Sequence, residues 1–374
     1  MSKKNKVLFL KDLIKNFIRK SSIYYSDITY NRELRFLIKN LKTKKKIDFN
    51  KLKEYSYYWG QISKKVNTDW LIFYSSLLFP DIKYVPKNVF HNVIEVKLNN
   101  RIIGNAYRDK NLYEKLFNID DLFPNTIFRN IEGFFYDKNY KFVKINESVF
   151  HSTISNYNKL VIKPSIESSS GRGVRVFNKI SGKFKTKDNE TLSLAFLNNV
   201  YEKNYIIQEG IEQLVFFNQF NPSSVNTVRI HTYRSVNNDN IYILNSLLRI
   251  GKKGSVVDNI SSGGVACKID ENGLLVGPFR NKTGVSFNTY NNINLSDKKY
   301  FIPQFMEMQE IAKKIAKDNF YSRLLGFDFT IDKNNKVRLI EINNQYATIT
   351  FQMITGPFFG NFTDEIIEFC KNKT

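Results

Sequence analysis

Residues 326–343 read GFDFTIDKNNKVRLIEIN, and two of their carboxylates are spaced to act together. The natural turn is Lys333–Lys336, centred between Asn334 and Asn335, so folding the segment back on itself sets Asp328 opposite Glu341. Side chains alternate along a strand, which puts Asn343 on the face of Glu341 and leaves Phe329, Ile331, Ile340 and Ile342 for the core side. Like charges facing each other on neighbouring strands repel and call for a positive partner. Two carboxylates and an amide oxygen on one rigid face suit Mg²⁺, which takes a few hard oxygens and leaves positions for water and phosphate. A solvated pair of acids would carry the same letters, so the assignment needs a phosphate site elsewhere in the chain.

KLVIKPSIESSSGRGV, residues 159–174, offers one. A strand-like run ends in Lys163, whose ammonium would neutralise phosphate charge, and Ser168–Gly173 would cover phosphates with backbone N–H groups and hydroxyls. NYIIQEGI, residues 204–211, is a strand running into a polar pair and Gly210, where backbone groups beside Glu209 would read a base edge.

These segments need elements to position them. The pattern reads as helices to about residue 80, with Val7, Leu10, Ile14, Phe17 and Ile18 on one face of a basic amphipathic helix. That helix either packs on its own domain or lies on a membrane surface or partner. From 81 to 150 the pattern is mixed, with a strand-like run at Val93–Leu98 and a helix over 109–117. Strands are expected at Leu160–Lys163, Val174–Phe177, Tyr205–Gln208, Val225–Tyr233 and Ile241–Ile250, and helices around 192–201, from Pro303 to about Lys317, and from near Thr363. Residues 251–298, rich in Gly, Asn and Ser, read as hairpins and mobile loops.

The formal charge is +22, and residues 1–60 hold 16 Lys/Arg against 5 Asp/Glu, so an anionic partner is expected. Cys267 and Cys370 are the only cysteines, which argues against a disulfide framework or a cysteine zinc site and fits a reducing cytoplasm. The apolar run Val7–Leu10 is too short for a signal peptide, and no stretch approaches a membrane span.

Taken in order and rough spacing, IKPSIESSSGRGV, IIQEGI and GFDF…IEIN resemble the ATP-grasp superfamily. KPSIESSS is similar to the phosphate-loop segment of D-alanine–D-alanine ligases, and the step from Asp328 to Glu341, with Asn343 two beyond, is similar to their metal motif. Longer stretches resemble the sugar-transfer-associated ATP-grasp family of bacterial surface-polysaccharide loci: YRDKNLYEKLF (107–117), FRNIEGFFYD (128–137), SSVNTVRIHTY (223–233), RIGKKGSVVDNISSGG (249–264) and ENG (271–273).

The resemblance implies an α+β ATP-grasp fold, with a nucleotide clamped between two α+β lobes after a basic, mainly helical region. The expected spans are 1–80 for that region, 81–158 for an acceptor-binding lobe, and 159–374 for the ATP-grasp lobes, with flap and adenine edge in 159–211 and the metal and catalytic lobe in 212–374. It implies ATP and Mg²⁺ as cofactors. Lys110 and Lys163 would touch phosphates or base; Ser168, Ser169, Ser170 and Gly171 would form the flap; Gln208, Glu209 and Ile211 the adenine edge; and Asp328, Glu341 and Asn343 would hold the metal. One position departs from the pattern. D-alanine ligases carry an arginine two residues before the metal aspartate, and here Gly326 stands there. Arg229 is the first candidate to replace it and Arg249 the second, while His231 reads as a packed, hydrogen-bonded strand residue.

The expected reaction is ATP-dependent ligation of a carboxylate to an amine through an acylphosphate, with a uronic-acid or amino-acid carboxylate in capsule or O-antigen assembly. A kinase acting on a small molecule or sugar would use the same ATP site. A nucleic-acid-binding protein would account for the charge but not for the acid–acid–Asn face. The expected location is the cytoplasm, with peripheral contact at an anionic membrane as an open alternative.

Overall fold

Period-two alternation between residues 126 and 343 builds two antiparallel sheets in the computed structural model, which describes residues 3–119, 121–166 and 171–372, with backbone alone for 3–20 and 372. The first sheet uses β1 (Thr126–Ile131), β2 (Phe134–Tyr136), β3 (Lys159–Pro164), β4 (Arg175–Ile180), β5 (Lys183–Lys185) and β6 (Tyr205–Glu209), in the order β2-β1-β6-β3-β4-β5. The second uses β7 (Thr227–Arg234), β8 (Ile241–Ile250), β9 (Val265–Ile269), β10 (Leu275–Arg280) and β11 (Ser286–Phe287). A two-stranded ribbon, β12 (Thr289–Tyr290) and β13 (Ile293–Asn294), precedes the last hairpin, β14 (Leu324–Ile331) and β15 (Val337–Asn343), which joins the second sheet in the order β11-β10-β9-β8-β7-β14-β15.

Each sheet packs one face on helices and carries polar side chains such as Lys163 and Asp328 on the other. Leu160, Ile162 and Ile207 of the first sheet pack with Phe150, Ile154 and Leu197 from the helices Glu147–Ile154 and Leu194–Val200. Alternation then turns Val161, Lys163 and Gln208 to the opposite face. In the second sheet Val228, Ile230, Leu248, Phe327 and Phe329 pack on Met308, Ala312 and Ile315 of the helix Phe305–Asp318. Arg229, Arg249, Asp328 and Glu341 are therefore left on the other side. Helices cover the apolar faces and the sheets are antiparallel, the α+β class expected.

The chain forms two compact units that divide it differently from the three expected spans. Both sheets fall in one unit, Asn99–Lys282 with Ser286–Ala347. The other gathers the chain up to Leu98, Thr283–Val285 and the chain from Thr348 onward. Its long helices are Lys3–Lys39, Phe49–Gly60 and Asp69–Leu77. Its core stacks Trp70 on Tyr74 and Tyr74 on Tyr84, with ring centroids 5.7 and 5.0 Å apart. The Gln352 amide takes Val85 N–H at 2.9 Å and donates to Val85 C=O at 3.0 Å, replacing a strand partner and tying the end of the chain to its first hundred residues. No spacing in the sequence encodes a contact of that separation.

Two local expectations are corrected. Val93–Leu98 is helical, part of a π-turn at Phe90–Ile94 followed by Glu95–Leu98, because Phe90 and Ile94 are buried at helical rather than strand spacing. The predicted helix over 109–117 shrinks to Tyr113–Leu116.

Candidate active site

Asp328 sits opposite Glu341 on β15, the register read from the turn, and opposite Arg229 on β7. One step further the hairpin departs from its ideal form. Phe329 pairs with Leu339, so Ile340 is an extra residue and the strand bulges. Leu339, not Ile340, therefore fills the core position, and the Ile340 carbonyl accepts from Lys163 Nζ at 3.4 Å.

The repulsion between the paired carboxylates is met by Arg229, Arg249 and Lys110, with Lys163 close by. Arg229 grips Asp328 through Nε and Nη2, the latter 2.7 Å from Oδ2, and Arg249 Nη1 adds a third bond at 3.0 Å. Lys110 Nζ stands 3.0 Å from Glu341 Oε1, and its backbone N–H bonds Ser165 C=O at 3.0 Å, which straps it to the end of β3. Burial alone would push the Asp328 carboxyl up, but the Arg229 and Arg249 guanidinia outweigh it and hold it down at about 2. Lys163 is buried, and desolvation followed by repulsion from Lys110 lowers its ammonium to about 7 against the pull of Glu341.

The position that departs from the D-alanine ligase pattern has a steric reason. Gly326 pairs with His231, and a Cβ there would stand 3.2 Å from His231 Cδ2 and 3.6 Å from Arg229 Cδ. A side chain there would crowd His231, and Arg229 on β7, at the register of Asp328, brings a guanidinium onto that carboxylate. His231 is fully buried with Nδ1 2.8 Å from Asn245 Oδ1, and burial followed by the Arg229 charge lowers its imidazole to about 3. It is thus a neutral packing residue at physiological pH. Because His231 is buried and its Nδ1 is held by Asn245, Gly326→Ala should cost about 1–3 kcal/mol of stability by overpacking, read from urea denaturation midpoints. A variant as stable as the parent would show that His231 can yield.

The other expected residues fall into two groups. Gln208 is buried, and its amide donates to Pro124 C=O at 3.1 Å and Thr126 Oγ1 at 3.3 Å, while Glu209 is exposed with its N–H on Asn125 C=O at 2.9 Å. Beside Ile211 a cavity of about 310 Å³ opens, lined also by Lys159, Glu212, Gln213, Val225 and Lys333. Gly171 has φ +71°, and a Cβ there would meet Val257 Cγ1 at 3.3 Å, so the end of the serine loop rests on the 251–264 loop. Ser168, Ser169 and Ser170 lie outside the described residues.

The metal assignment can be tested on donor chemistry. Among the described residues no group of three His, Cys, Asp or Glu side chains is disposed around one point. The available set is two carboxylates and the Asn343 amide, whose Nδ2 is 3.5 Å from Asp328 Oδ2. These are hard oxygens of the kind Mg²⁺ prefers, and they fit it. Glu341, with a side chain 29% exposed, is open to a cation, whereas Asp328, at 4%, already accepts three guanidinium bonds and reaches one only by giving up part of them.

Sequence reasoning missed Asp258. Arg249 Nη2 stands 3.2 Å from its Oδ1, and Thr227 Oγ1 donates to its Oδ2. Burial raises its carboxyl against the pull of Arg249. The only local signal was an acid nine residues beyond a strand-borne arginine in a glycine-rich loop, and spacing alone does not close such a loop.

No curated protein sequence matches the chain. Solved structures do. N5-carboxyaminoimidazole synthetase from Staphylococcus aureus complexed with ADP is 12% identical over 67% of this chain and 46% of its own, with a TM-score of 0.37. The biotin carboxylase domain of Hydrogenobacter thermophilus 2-oxoglutarate carboxylase, complexed with MgADP, ADP and bicarbonate, is 12% identical over 73% and 47%, with a TM-score of 0.40. VanG D-Ala:D-Ser ligase from Enterococcus faecalis is 15% identical over 70% and 61%, with a TM-score of 0.37. The chain spans about half the length of the first of these structures. The profile of the sugar-transfer associated ATP-grasp family matches residues 91–366, most of the sequence, and takes in both sheets and every site residue named above: this chain belongs to that family.

Proposed function

We propose that this protein is an ATP-dependent carboxylate–amine ligase that works through an acylphosphate. The observation that carries the reading is the meeting of Asp328, Glu341 and Asn343 with Lys110, Lys163, Arg229 and Arg249 on facing polar sheet surfaces. Hard oxygens beside two guanidinium groups and two lysines suit a polyphosphate and its counter-ion. Glu341 and Asn343, with Asp328, would hold Mg²⁺, which when bound offsets the charge on the phosphate oxygens. Lys163 and Lys110 bind phosphate from the first sheet and its strap, and the cavity beside Ile211 suits the adenosine end of ATP.

In the first step an oxygen of the substrate carboxylate attacks the γ-phosphorus and the bond to the β–γ bridging oxygen breaks, releasing ADP. In the second, an amine nitrogen attacks the acyl carbon, the oxyanion collapses, phosphate leaves and the amine proton is lost. Guanidinium nitrogens of Arg229 and Arg249 are the donors suited to that oxyanion. The 171–173 and 251–264 segments exclude water, which would otherwise hydrolyse the acylphosphate.

Membership of a sugar-transfer associated family supports a role in polysaccharide assembly, and within it the carboxylate is that of a uronic acid or amino acid, joined by an amide in capsule or O-antigen synthesis. Purified protein with MgATP and paired panels of carboxylates and amines tests the reaction. ADP release that needs both partners is expected; a stable phosphorylated product from one substrate alone would make the protein a kinase instead.

Lys163 gives a pH signature. A phosphate neighbour stabilises its charged form, so bound protein holds that proton more tightly than free protein, whose ammonium titrates at about 7. ATP affinity should weaken as pH rises above 7, by up to about tenfold per unit. Lys163→Met should bind more weakly and lose the slope. A wild-type affinity independent of pH between about 6 and 9 would remove Lys163 from the phosphate site.

The excess of basic residues in the first 60 positions supports peripheral contact with an anionic membrane. Among the described residues no helix is long and apolar enough to cross one. Removing residues 1–20 should reduce flotation with phosphatidylglycerol vesicles at low salt, and undiminished flotation would contradict the contact.

A further inference from the structure

Asp328 presents a conflict if it is to meet a cation. Both of its oxygens are held by guanidinium groups, and Arg229 is committed to it by a two-point grip. Arg249 is differently placed. Its Nη1 bonds Asp328 Oδ2 at 3.0 Å while its Nη2 bonds Asp258 Oδ1 at 3.2 Å, so one guanidinium spans two carboxylates. If Asp328 were its sole partner, a cation drawing off Asp328 would leave a nearly buried arginine unpaired, and an unpaired buried charge is strongly destabilising.

We propose that Asp258 is a positioning residue that retains Arg249 when Asp328 turns to a divalent cation, so that the metal site can fill without stranding the arginine. This inference rests on the metal reading given above. Three features show that Asp258 is a prepared acceptor rather than a chance neighbour. Its second oxygen is fixed by Thr227 Oγ1, and Thr227 is the cross-strand partner of Arg249 on β7, so strand register brings donor and acceptor together. The loop that carries it is closed at both ends by glycines no other residue can replace: a Cβ on Gly251 would fall 2.6 Å from Val257 C=O, and one on Gly264 would fall 2.5 Å from Ile250 C=O. The loop is also pinned from outside, by Asn221 Nδ2 on Gly251 C=O at 3.0 Å and by Ser223 Oγ, which accepts Gly254 N–H at 2.9 Å.

The adjoining residue gives the loop a second contact. Val257 packs where a Cβ of Gly171 would lie, at the end of the serine segment. A ligand seated against Gly171 therefore bears on the same short loop that orients Arg249.

Calorimetry of the full chain with ADP, first in EDTA and then at increasing Mg²⁺, tests this without substrate. Wild type should bind ADP in EDTA and tighten as Mg²⁺ is added. Asp258→Asn should keep the EDTA affinity and lose roughly 10–100-fold of the Mg²⁺-dependent gain, the range that loss of an outer-shell partner costs a metal site. Asp258→Glu should restore part of it, which a merely structural defect would not allow. Thr227→Val, a milder change that removes one donor to Asp258 and leaves its bond to Arg249, should shift the Mg²⁺ dependence in the same direction if Asp258→Asn fails to fold. Mg²⁺ dependence equal to wild type in the foldable variants would overturn the role of Asp258 while leaving the metal site intact. Wild-type ADP binding that ignores Mg²⁺ altogether would instead overturn the metal reading, and this inference with it.

Discussion

Glu341→Gln should abolish MgATP turnover while the protein remains folded. Glu341 is the more open of the two carboxylates, and its Oε1 stands 3.0 Å from Lys110 Nζ. The amide keeps the shape and an acceptor for Lys110 but removes the charge that a divalent cation needs. Loss of a direct ligand should exceed the roughly 10–100-fold that loss of an outer-shell partner costs. A second consequence separates this from general damage. Glu341 pulls the Lys163 ammonium up, so its neutralisation should move that titration further below its present value of about 7. The measurements are ADP release, circular dichroism and the pH profile of nucleotide affinity. Turnover at the wild-type rate would end the assignment of Glu341 to the metal.

Arg229→Met should be the most destabilising single change at the site. Asp328 is buried, and the substitution removes two of its three guanidinium bonds. Breaking one side of a buried pair costs roughly 3–5 kcal/mol, because a charge is left without compensation. Arg229→Lys should recover little, since one ammonium cannot reproduce the two-point grip. Neutralising both partners, as Arg229→Met with Asp328→Asn, should recover part of the lost stability although not the activity.

The sign with pH is fixed by the Asp328 carboxyl, which lies near 2 in the fold against an ordinary 3.8. Its depressed value contributes stability that is present above about pH 4 and lost as pH falls toward 2. Arg229→Met should flatten that acid limb in urea denaturation measured across pH. With the oxyanion role proposed for Arg229, its removal should also lower kcat by about 10²–10³. A variant with wild-type stability would show that Arg249 alone suffices to compensate Asp328.

The sequence was informative where the physics is local. The pairing of Asp328 with Glu341 followed from the position of a turn and the two-residue period of a strand, and the structure has that register. Even there the bulge at Ile340 escaped notice, because alternation has no term for one extra residue, and Leu339 took the core position instead. Val93–Leu98 was misread for a related reason: a short apolar run fits strand or helix until its neighbours show which side is buried.

By itself, then, the sequence determined the acid–acid–Asn strand face, the strand that delivers Lys163, and the family pattern that links them. Only the tertiary structure decided which cations answer those acids. Arg229 and Arg249 reach Asp328 because β7 lies beside β14 and β8 beside β7, Lys110 reaches Glu341 because a backbone bond straps it to the end of β3, and Asp258 reaches Arg249 because a glycine-bounded loop folds back over β7. Residue spacing fixes the partner across a hairpin turn, since the chain is its own ruler over a few residues. It does not fix strand order or loop closure, which depend on how separate apolar faces find a shared core.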